Sequence, residues 1–359
     1  MSRLAAILIA LLALQSAPAA GQGFAGLGTE VDGFTAPRPN PRFRFPEDHG
    51  AHPAYRIEWW YLTAVLEDAD GTQYGAQWTL FRSALQPHDA QGWETPQLWM
   101  GHAAITTPSA HHYAERLARG GLGVAGVEAT PFQAFIDEWS MRSAPDRLEA
   151  NADALAALDL SARGEDFAYA FALDANGPLV FQGDSGFSVK SADGQASYYY
   201  SQPFYQVTGT LDLPEGEVEV TGQAWLDREY SSQPLSETQL GWDWVSFHLD
   251  SGDKVMGFQL RQSDGSVYTA ASWITPDGTP TAFEDGALSM TALETAEVAG
   301  RQIPVRWRVE LPARHLDVEI AAVNSHSWMQ TLFSYWEGPV SVTGSHAGGG
   351  YLEMTGYGD

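Results

Sequence analysis

Apolar and polar residues alternate along the chain in short stretches that are separated by turn residues. Residues 58–66 read Glu-Trp-Trp-Tyr-Leu-Thr-Ala-Val-Leu, and Asp70-Gly71 separates them from a second such stretch at residues 74–81. Two alternating stretches joined by a glycine-containing turn predict a β-hairpin. The pattern returns at residues 167–173, 218–230, 242–249, 254–261, 305–311, 316–323, 336–342 and 350–357.

The spacing of these stretches predicts the fold class. Strands that recur about every ten residues are typical of an antiparallel sandwich or barrel. Helical periodicity is confined to residues 108–119 and 151–160, and both stretches are short and weakly capped. We therefore predict an all-β protein, with helices only in these two places.

Two tryptophan-rich segments indicate an internal duplication. Residues 58–61 (Glu-Trp-Trp-Tyr) and 241–244 (Gly-Trp-Asp-Trp) each open a predicted hairpin whose second strand ends on an arginine. The chain is also long enough for two domains. We place the boundary near Pro234, after a turn-rich segment, which predicts domains at residues 46–233 and 234–359.

The first residues have the pattern of a secretory signal peptide. Arg3 precedes an apolar run at residues 4–14, and small residues follow at 17–19. The run is shorter than the roughly 20 residues that a membrane-spanning helix needs. We expect residues 1–20 to be cleaved, leaving a secreted or periplasmic protein without a membrane span. The Gly/Pro-rich residues 21–45 should lie extended over the surface.

Composition excludes several classes of function. The chain has 19 Lys+Arg against 45 Asp+Glu, a net charge of −26, which would repel the phosphates of a nucleic acid. Cysteine is absent, which excludes disulfides, a thiolate nucleophile and cysteine-ligated metal sites. We find no histidine motif with metal-ligand spacing and no phosphate-binding loop, so we expect neither a metal nor an organic cofactor.

One predicted strand, at residues 223–230, carries candidate acid chemistry. Alternation places Trp225, Asp227 and Glu229 on the same face of this strand. If that face lines a barrel interior, burial beside aromatic walls would keep a carboxyl protonated, and it could then protonate an alkene or activate a water. Alternatively, the two carboxylates pair with arginines such as Arg228 between the domains and only hold the structure.

Further candidates for ligand binding come from aromatic and charged residues on other strands. Alternation places Tyr198 and Tyr200 together, where they could stabilise a cation or simply form a barrel wall. Glu58 lies within reach of Arg82 on the next strand, and a buried ion pair is the simpler interpretation of the two. The remaining candidates are Trp60, Trp242, Trp244 and His102, of which the histidine could equally be structural.

A series of motifs runs in order along nearly all of the mature chain. The motifs lie at residues 57–61, 81–82, 101–106, 115–119, 183–190, 198–201, 222–230, 241–244, 335–338 and 350–357. Together they resemble the secreted AttH-like proteins, which share a lipocalin-like domain with the carotenoid 1,2-hydratases. The resemblance implies two tandem lipocalin-like antiparallel β-barrels packed together.

The resemblance also implies roles for particular residues. In the hydratase branch, an aspartate two residues after an aromatic donates a proton to an isolated double bond, and aromatics on a neighbouring strand flank the cation. Trp225 and Asp227 match that pattern here. Tyr198 and Tyr200 occupy the flanking positions, where a hydratase would be expected to hold histidine and tryptophan.

Three functions remain open at this point. The chain could act on a lipophilic molecule by acid-catalysed hydration or hydrolysis, with Asp227 protonated inside an apolar cavity. It could instead carry a hydrophobic ligand without reaction, with an export transporter as partner and Asp227 exposed or ion-paired. The third reading is structural, with barrel interiors filled by side chains.

Overall fold

The computed structural model describes residues 33–90, 92–233 and 238–357. The predicted signal peptide and the boundary residue Pro234 lie outside these residues. Short 3-10 helices occur at Glu47–His49, Gly92–Glu94 and Pro312–Arg314. Every other regular element that the structure describes is a β-strand, which confirms the all-β prediction.

The first sheet is built from strands that all precede residue 232. They are β1 (Ile57–Glu67), β2 (Gln73–Ala84), β3 (Gln97–Thr106), β4 (His111–Arg119), β5 (Ala125–Ala129), β6 (Phe132–Ile136), β7 (Trp139–Ser143), β8 (Ala157–Arg163), β9 (Ala168–Ala175), β10 (Val180–Phe181), β11 (Phe187–Val189), β12 (Ala196–Leu213) and β13 (Gly216–Ser231). The strand order is β4-β3-β2-β1-β13-β12-β9-β8-β7-β6-β5, and β10 and β11 pair with β12.

The second sheet is built from the strands that follow. They are β14 (Gln239–Leu249), β15 (Lys254–Gln262), β16 (Val267–Ile274), β17 (Pro280–Phe283), β18 (Ser289–Val298), β19 (Arg301–Leu311), β20 (Leu316–Ala322), β21 (Trp328–Met329), β22 (Tyr335–Gly344) and β23 (Gly348–Met354). The order is β17-β16-β15-β14-β23-β22-β20-β19-β18, and β21 pairs with β22.

The prediction of helices at residues 108–119 and 151–160 is wrong. Residues 111–119 form β4, which pairs with β3 along its whole length, and the second segment is divided between turns and β8. The alanines in both segments favour a helix, but intrinsic propensity is a weak preference compared with tertiary packing. Pairing with a neighbouring strand satisfies the same backbone groups and also buries one face, so tertiary structure overrides the local preference.

Each sheet curls around its own apolar core. In the first sheet Gly101 of β3 lies against Ile136 of β6 and Trp139 of β7, which brings strands far apart in the sheet order into contact. A second core, which includes Trp307 and Trp336, fills the second sheet. Both interiors are therefore packed with side chains, as small barrels can be.

A third apolar cluster joins the two sheets through their outer faces. It combines Tyr61, Tyr199 and Trp225 from the first sheet with Trp244 and Phe258 from the second. The division of the chain into two domains stays a prediction, because two sheets that pack together in this way can also form a single folding unit.

Gly75 is expected to be needed for the close approach of the two sheets. A Cβ at this position of β2 would lie 2.5 Å from Cδ of Pro339 in β22. Overpacking of this kind costs about 1–3 kcal/mol, so we expect Gly75→Ala to lower the free energy of unfolding in urea by that amount. Gly126→Ala is the control, because its Cβ would meet Phe135 at an ordinary 3.6 Å. Equal unfolding midpoints for the two variants would contradict this packing.

Candidate functional site

A cleft lies between the outer faces of the two sheets and contains a cavity of about 120 Å³. Its walls are mainly aromatic, and charged or amide side chains also reach it. The first sheet and its loops contribute Trp59, Tyr61, Phe81, Lys190, Gln195, Tyr199, Asp227, Glu229 and Gln233, among others, and the second sheet contributes Trp242, Trp244, Phe258, Leu260 and Glu353. The cavity is thus inside neither barrel, and the expectation that the face with Asp227 and Glu229 lines a barrel interior is wrong, because that face packs against the second sheet.

Strand register explains why these side chains meet. Asp227 on β13 lies directly opposite Tyr61 on β1 and Ser201 on β12. Two residues further along β13, Glu229 lies directly opposite Trp59 on β1 and Tyr199 on β12. Residues directly opposite one another point to the same face of a sheet, so both rows face the second sheet.

Asp227 is almost completely buried and is surrounded by hydrogen-bond donors. Its carboxyl oxygens accept hydrogen bonds from Ser201 Oγ at 2.5 Å, Tyr199 Oη at 2.6 Å and Trp225 Nε1 at 2.6 Å. Burial, assisted by the negative charge of Glu229, raises the pKa of Asp227 to about 7, although the three hydrogen bonds lower it. Asp227 can therefore hold or release a proton near neutral pH.

Glu229 shares this face but is ion-paired. Its carboxylate accepts a hydrogen bond from the Ser197 hydroxyl and lies 2.9 Å from Lys190 Nζ. The same ammonium lies 4.7 Å from the ring centroid of Tyr199 and 4.5 Å from that of Phe258. Glu229 therefore forms an ion pair, as the structural alternative for this strand expects. Its partner is Lys190 and not an arginine such as Arg228. Glu229 is better suited to hold this lysine than to donate a proton.

The tyrosine that flanks Asp227 on the cleft side is Tyr199. The prediction that Tyr198 and Tyr200 flank Asp227 is therefore wrong. The backbone N–H of Arg38 donates a hydrogen bond to Tyr198 Oη. Tyr200 is buried in the core of the first sheet, where its hydroxyl donates to the backbone oxygen of Asp48. Strand register decides this, because Ser201 faces Asp227 and so the odd-numbered residues of this part of β12 face the cleft.

Three other candidates lie within the first barrel and do not line the cavity. Glu58 is buried between Arg82 and Arg228, with an ion pair to each. Trp60 belongs to the same interior, and the Arg228 guanidinium lies 3.8 Å from its ring centroid. The predicted ion pair between Glu58 and Arg82 is present, with Arg228 as an additional partner.

His102 lies on the outer face but away from the cavity. Its Nδ1 is 2.9 Å from the Tyr335 hydroxyl, and its Nε2 is 3.1 Å from Glu115 Oε1. Burial lowers the pKa of His102, although Glu115 raises it. Both ring nitrogens of His102 therefore lie within hydrogen-bonding distance of another side chain, as expected if this histidine has a structural role. Of the remaining aromatic candidates, Trp242 and Trp244 line the cavity, and Trp225 is buried beside Asp227.

Glu353 and Glu337 are acidic residues of this region that sequence reasoning missed. Glu353 lines the cavity and accepts a hydrogen bond from Trp242 Nε1 at 2.6 Å. Burial raises its pKa to about 7. Glu337 lies directly opposite on the neighbouring strand, and burial together with the charge of Glu353 raises its pKa well above the usual range. The signal in the sequence that could have found them was a glutamate among the mainly apolar residues of each of two strands.

The described residues contain no group of three or more histidine, aspartate and glutamate side chains that could hold a metal ion. In the same part of the chain, no helix is long and apolar enough to cross a membrane.

Tyr199→Phe is expected to raise the pKa of Asp227 above about 7. The Tyr199 hydroxyl donates to the charged carboxylate and stabilises it, so its removal favours the protonated form. A hydrogen bond to a charged group is worth about 1.5–3 kcal/mol, which corresponds to a rise of at least about one pH unit. Infrared titration of the carboxyl absorption measures this. Tyr198→Phe is the control, and an unchanged midpoint in Tyr199→Phe would contradict the assignment.

Comparison with known proteins gives a consistent family and fold. The family model for AttH-like proteins matches residues 36–357. A Nitrosomonas europaea protein assigned to AttH is 33% identical, and its crystal structure superposes with a TM-score of 0.78, covering 90% of this chain and 100% of that chain. Kievitone hydratase from Nectria haematococca shares the fold at 14% identity, with a TM-score of 0.64 over 91% of this chain and 96% of its own. No match was found among curated proteins.

Proposed function

Since the chain belongs to the AttH-like family, we propose that it is a hydratase-type protein that adds water to an isolated double bond of a lipophilic molecule. The molecule, an isoprenoid or a similar lipid, binds in the cleft between the sheets. The observation that carries this proposal is the environment of Asp227, a buried carboxyl that faces an aromatic cavity and whose pKa is raised by burial to about 7. The enzyme hypothesis requires such an environment.

The surroundings of Asp227 suit proton donation. Burial keeps the proton on the carboxyl until substrate arrives. As the proton leaves, the hydrogen bonds from Tyr199, Ser201 and Trp225 stabilise the carboxylate that forms. Aromatic faces in the cleft, such as that of Trp244, can stabilise the carbocation left on the substrate.

The second candidate function is transport of a hydrophobic ligand without reaction. The aromatic walls of the cleft favour it, because they can bind an apolar molecule whether or not a bond is made. A carrier of this kind would pass its ligand to an export transporter. Both candidate functions agree with export of the protein, which rests on the predicted cleavage of residues 1–20. The N-terminal sequence of the mature protein would test that cleavage.

The test uses short acyclic isoprenoid alcohols with isolated double bonds, citronellol and farnesol, as probes. The purified protein is incubated with each probe, and mass spectrometry follows both the protein complex and the free products. A product heavier by the mass of one water supports the hydratase. Binding without conversion favours the carrier, and neither binding nor conversion would overturn both candidates.

A further inference from the structure

Glu353 faces the same cavity as Asp227 but belongs to the other sheet. It lies on β23, directly opposite Trp244 on β14 and Glu337 on β22. Asp227 reaches the cavity from β13, on the opposing sheet. A molecule bound between the two sheets would therefore meet Asp227 on one side and Glu353 on the other.

The groups around Glu353 are mostly acidic or neutral. Asp227 and Glu229 face it from the first sheet and disfavour its negative charge, while hydrogen bonds from Trp242 and Tyr61 favour that charge. These opposing effects, added to burial, bring the pKa of Glu353 to about 7. The pKa of Asp227 is also raised to about 7, and the two negative charges disfavour one another, so near neutral pH the pair can hold one proton between them.

Glu337 lies behind Glu353 and is fully buried. The hydroxyls of Tyr61 and Tyr335 act on its carboxyl group and lower its pKa, but burial and the charge of Glu353 outweigh them, and no ion pair reaches Glu337 among the residues that the structure describes. An uncompensated buried charge is costly, so Glu337 stays protonated. Ionisation of the pair is thereby confined to Glu353, the member that reaches the cavity.

We propose that Glu353 is a second catalytic residue, the base that accepts a proton from the attacking water, with Glu337 as its protonated positioning partner. This inference rests on the proposed hydration. It assigns the acid and the base to different sheets, so the first sheet alone would hold an incomplete site.

The proposed reaction balances without a further reactant. The Asp227 proton forms a new C–H bond with the π electrons of the alkene, which leaves a cation on the adjacent carbon. A water oxygen forms the C–O bond, and one of its protons passes to the Glu353 carboxylate. Transfer of that proton from Glu353 to Asp227 restores both groups, so the net reaction consumes one water.

The inference predicts a particular pH profile for the wild type. Conversion requires Asp227 protonated and Glu353 ionised, so the rate should fall on both sides of neutral pH. Glu353→Gln should lower kcat about 10²-fold or more, leave probe binding unchanged and remove the decline on the acidic side. Glu294→Gln, which removes an exposed glutamate of β18, is the control.

Two further variants keep the test decisive if Glu353→Gln does not fold. Glu353→Asp retains a titratable base and should keep the acidic decline at a lower rate. Trp242→Phe removes a hydrogen bond that stabilises the Glu353 carboxylate, so the acidic decline should move to higher pH. An acidic decline that is unchanged in Glu353→Gln or in Trp242→Phe, or a full rate in Glu353→Asp, would overturn the inference and leave the hydratase proposal intact. Absence of conversion by the wild type would overturn both.

Discussion

Replacing Asp227 by asparagine is expected to slow conversion of an isoprenoid probe by about 10²–10⁴-fold, the usual contribution of a general acid. The asparagine side chain has nearly the same shape, so the cavity should keep its form and its affinity for the probe. It cannot donate the proton that starts the reaction. The loss should therefore fall on kcat, with little effect on probe binding.

The measurement compares single-turnover rates and equilibrium binding for the wild type and Asp227→Asn. Asp212→Asn is the matched control, because Asp212 is an exposed carboxylate on a strand of the same sheet. In the wild type the rate should also decline as the pH rises above about 7, where Asp227 loses its proton. Full conversion by Asp227→Asn would rule out this residue as the acid.

Glu58→Gln is expected to lower the free energy of unfolding by about 3–5 kcal/mol. The Glu58 carboxylate is fully buried and pairs with both Arg82 and Arg228, which are themselves buried. Glutamine removes the negative charge and leaves two guanidinium groups without compensation inside the first barrel. The loss would be measured by chemical denaturation at neutral pH.

The same substitution should change how stability depends on pH. The guanidinium groups of Arg82 and Arg228 hold the pKa of Glu58 well below its usual range, despite its burial. The stability that Glu58 contributes is therefore present above the unfolded-state pKa of about 4.5 and is lost as the pH falls through the lower folded-state pKa. Glu58→Gln should lack this part of the acid sensitivity.

Glu319→Gln is the control for the ion pair. Glu319 pairs with Arg306 on the surface, where such pairs contribute about 0–1 kcal/mol. Equal losses of stability for the buried and the exposed pair would show that the Glu58 cluster is not structural. Such a result would reopen the earlier hypothesis that Glu58 and Arg82 bind a ligand.

Alternation predicted the strands well because it reports a property of the chain alone. The hairpin around Asp70-Gly71 is present as β1 and β2, which pair residue by residue from Ile57 with Ser83 to Glu67 with Gln73. The same alternation correctly placed Asp227 and Glu229 on one face of β13, but it could not show that this face borders a cleft between the sheets. Where local preference was weak, as at residues 111–119, pairing with β3 decided the outcome.

The identity of the strand neighbours, in contrast, depends on register and packing. Alternation placed Tyr198 with Tyr200 but could not show which face of β12 meets Asp227, and a shift of one residue reverses the answer. Glu353 lies far from Asp227 in the sequence, and no local motif joins them. Only the packing of the two sheets brings both residues to one cavity.

The sequence by itself determined the all-β class, the positions of the strands with clear alternation, the family resemblance and the acidic strand that carries Asp227. These properties follow from local alternation, turn residues and motif order, which are contained in consecutive residues. Only the tertiary structure decided that the cavity lies between the sheets and that Tyr199 and Glu353 border it. Burial and electrostatic coupling arise between strands distant in sequence, so the pKa of Asp227 also depends on the assembled fold.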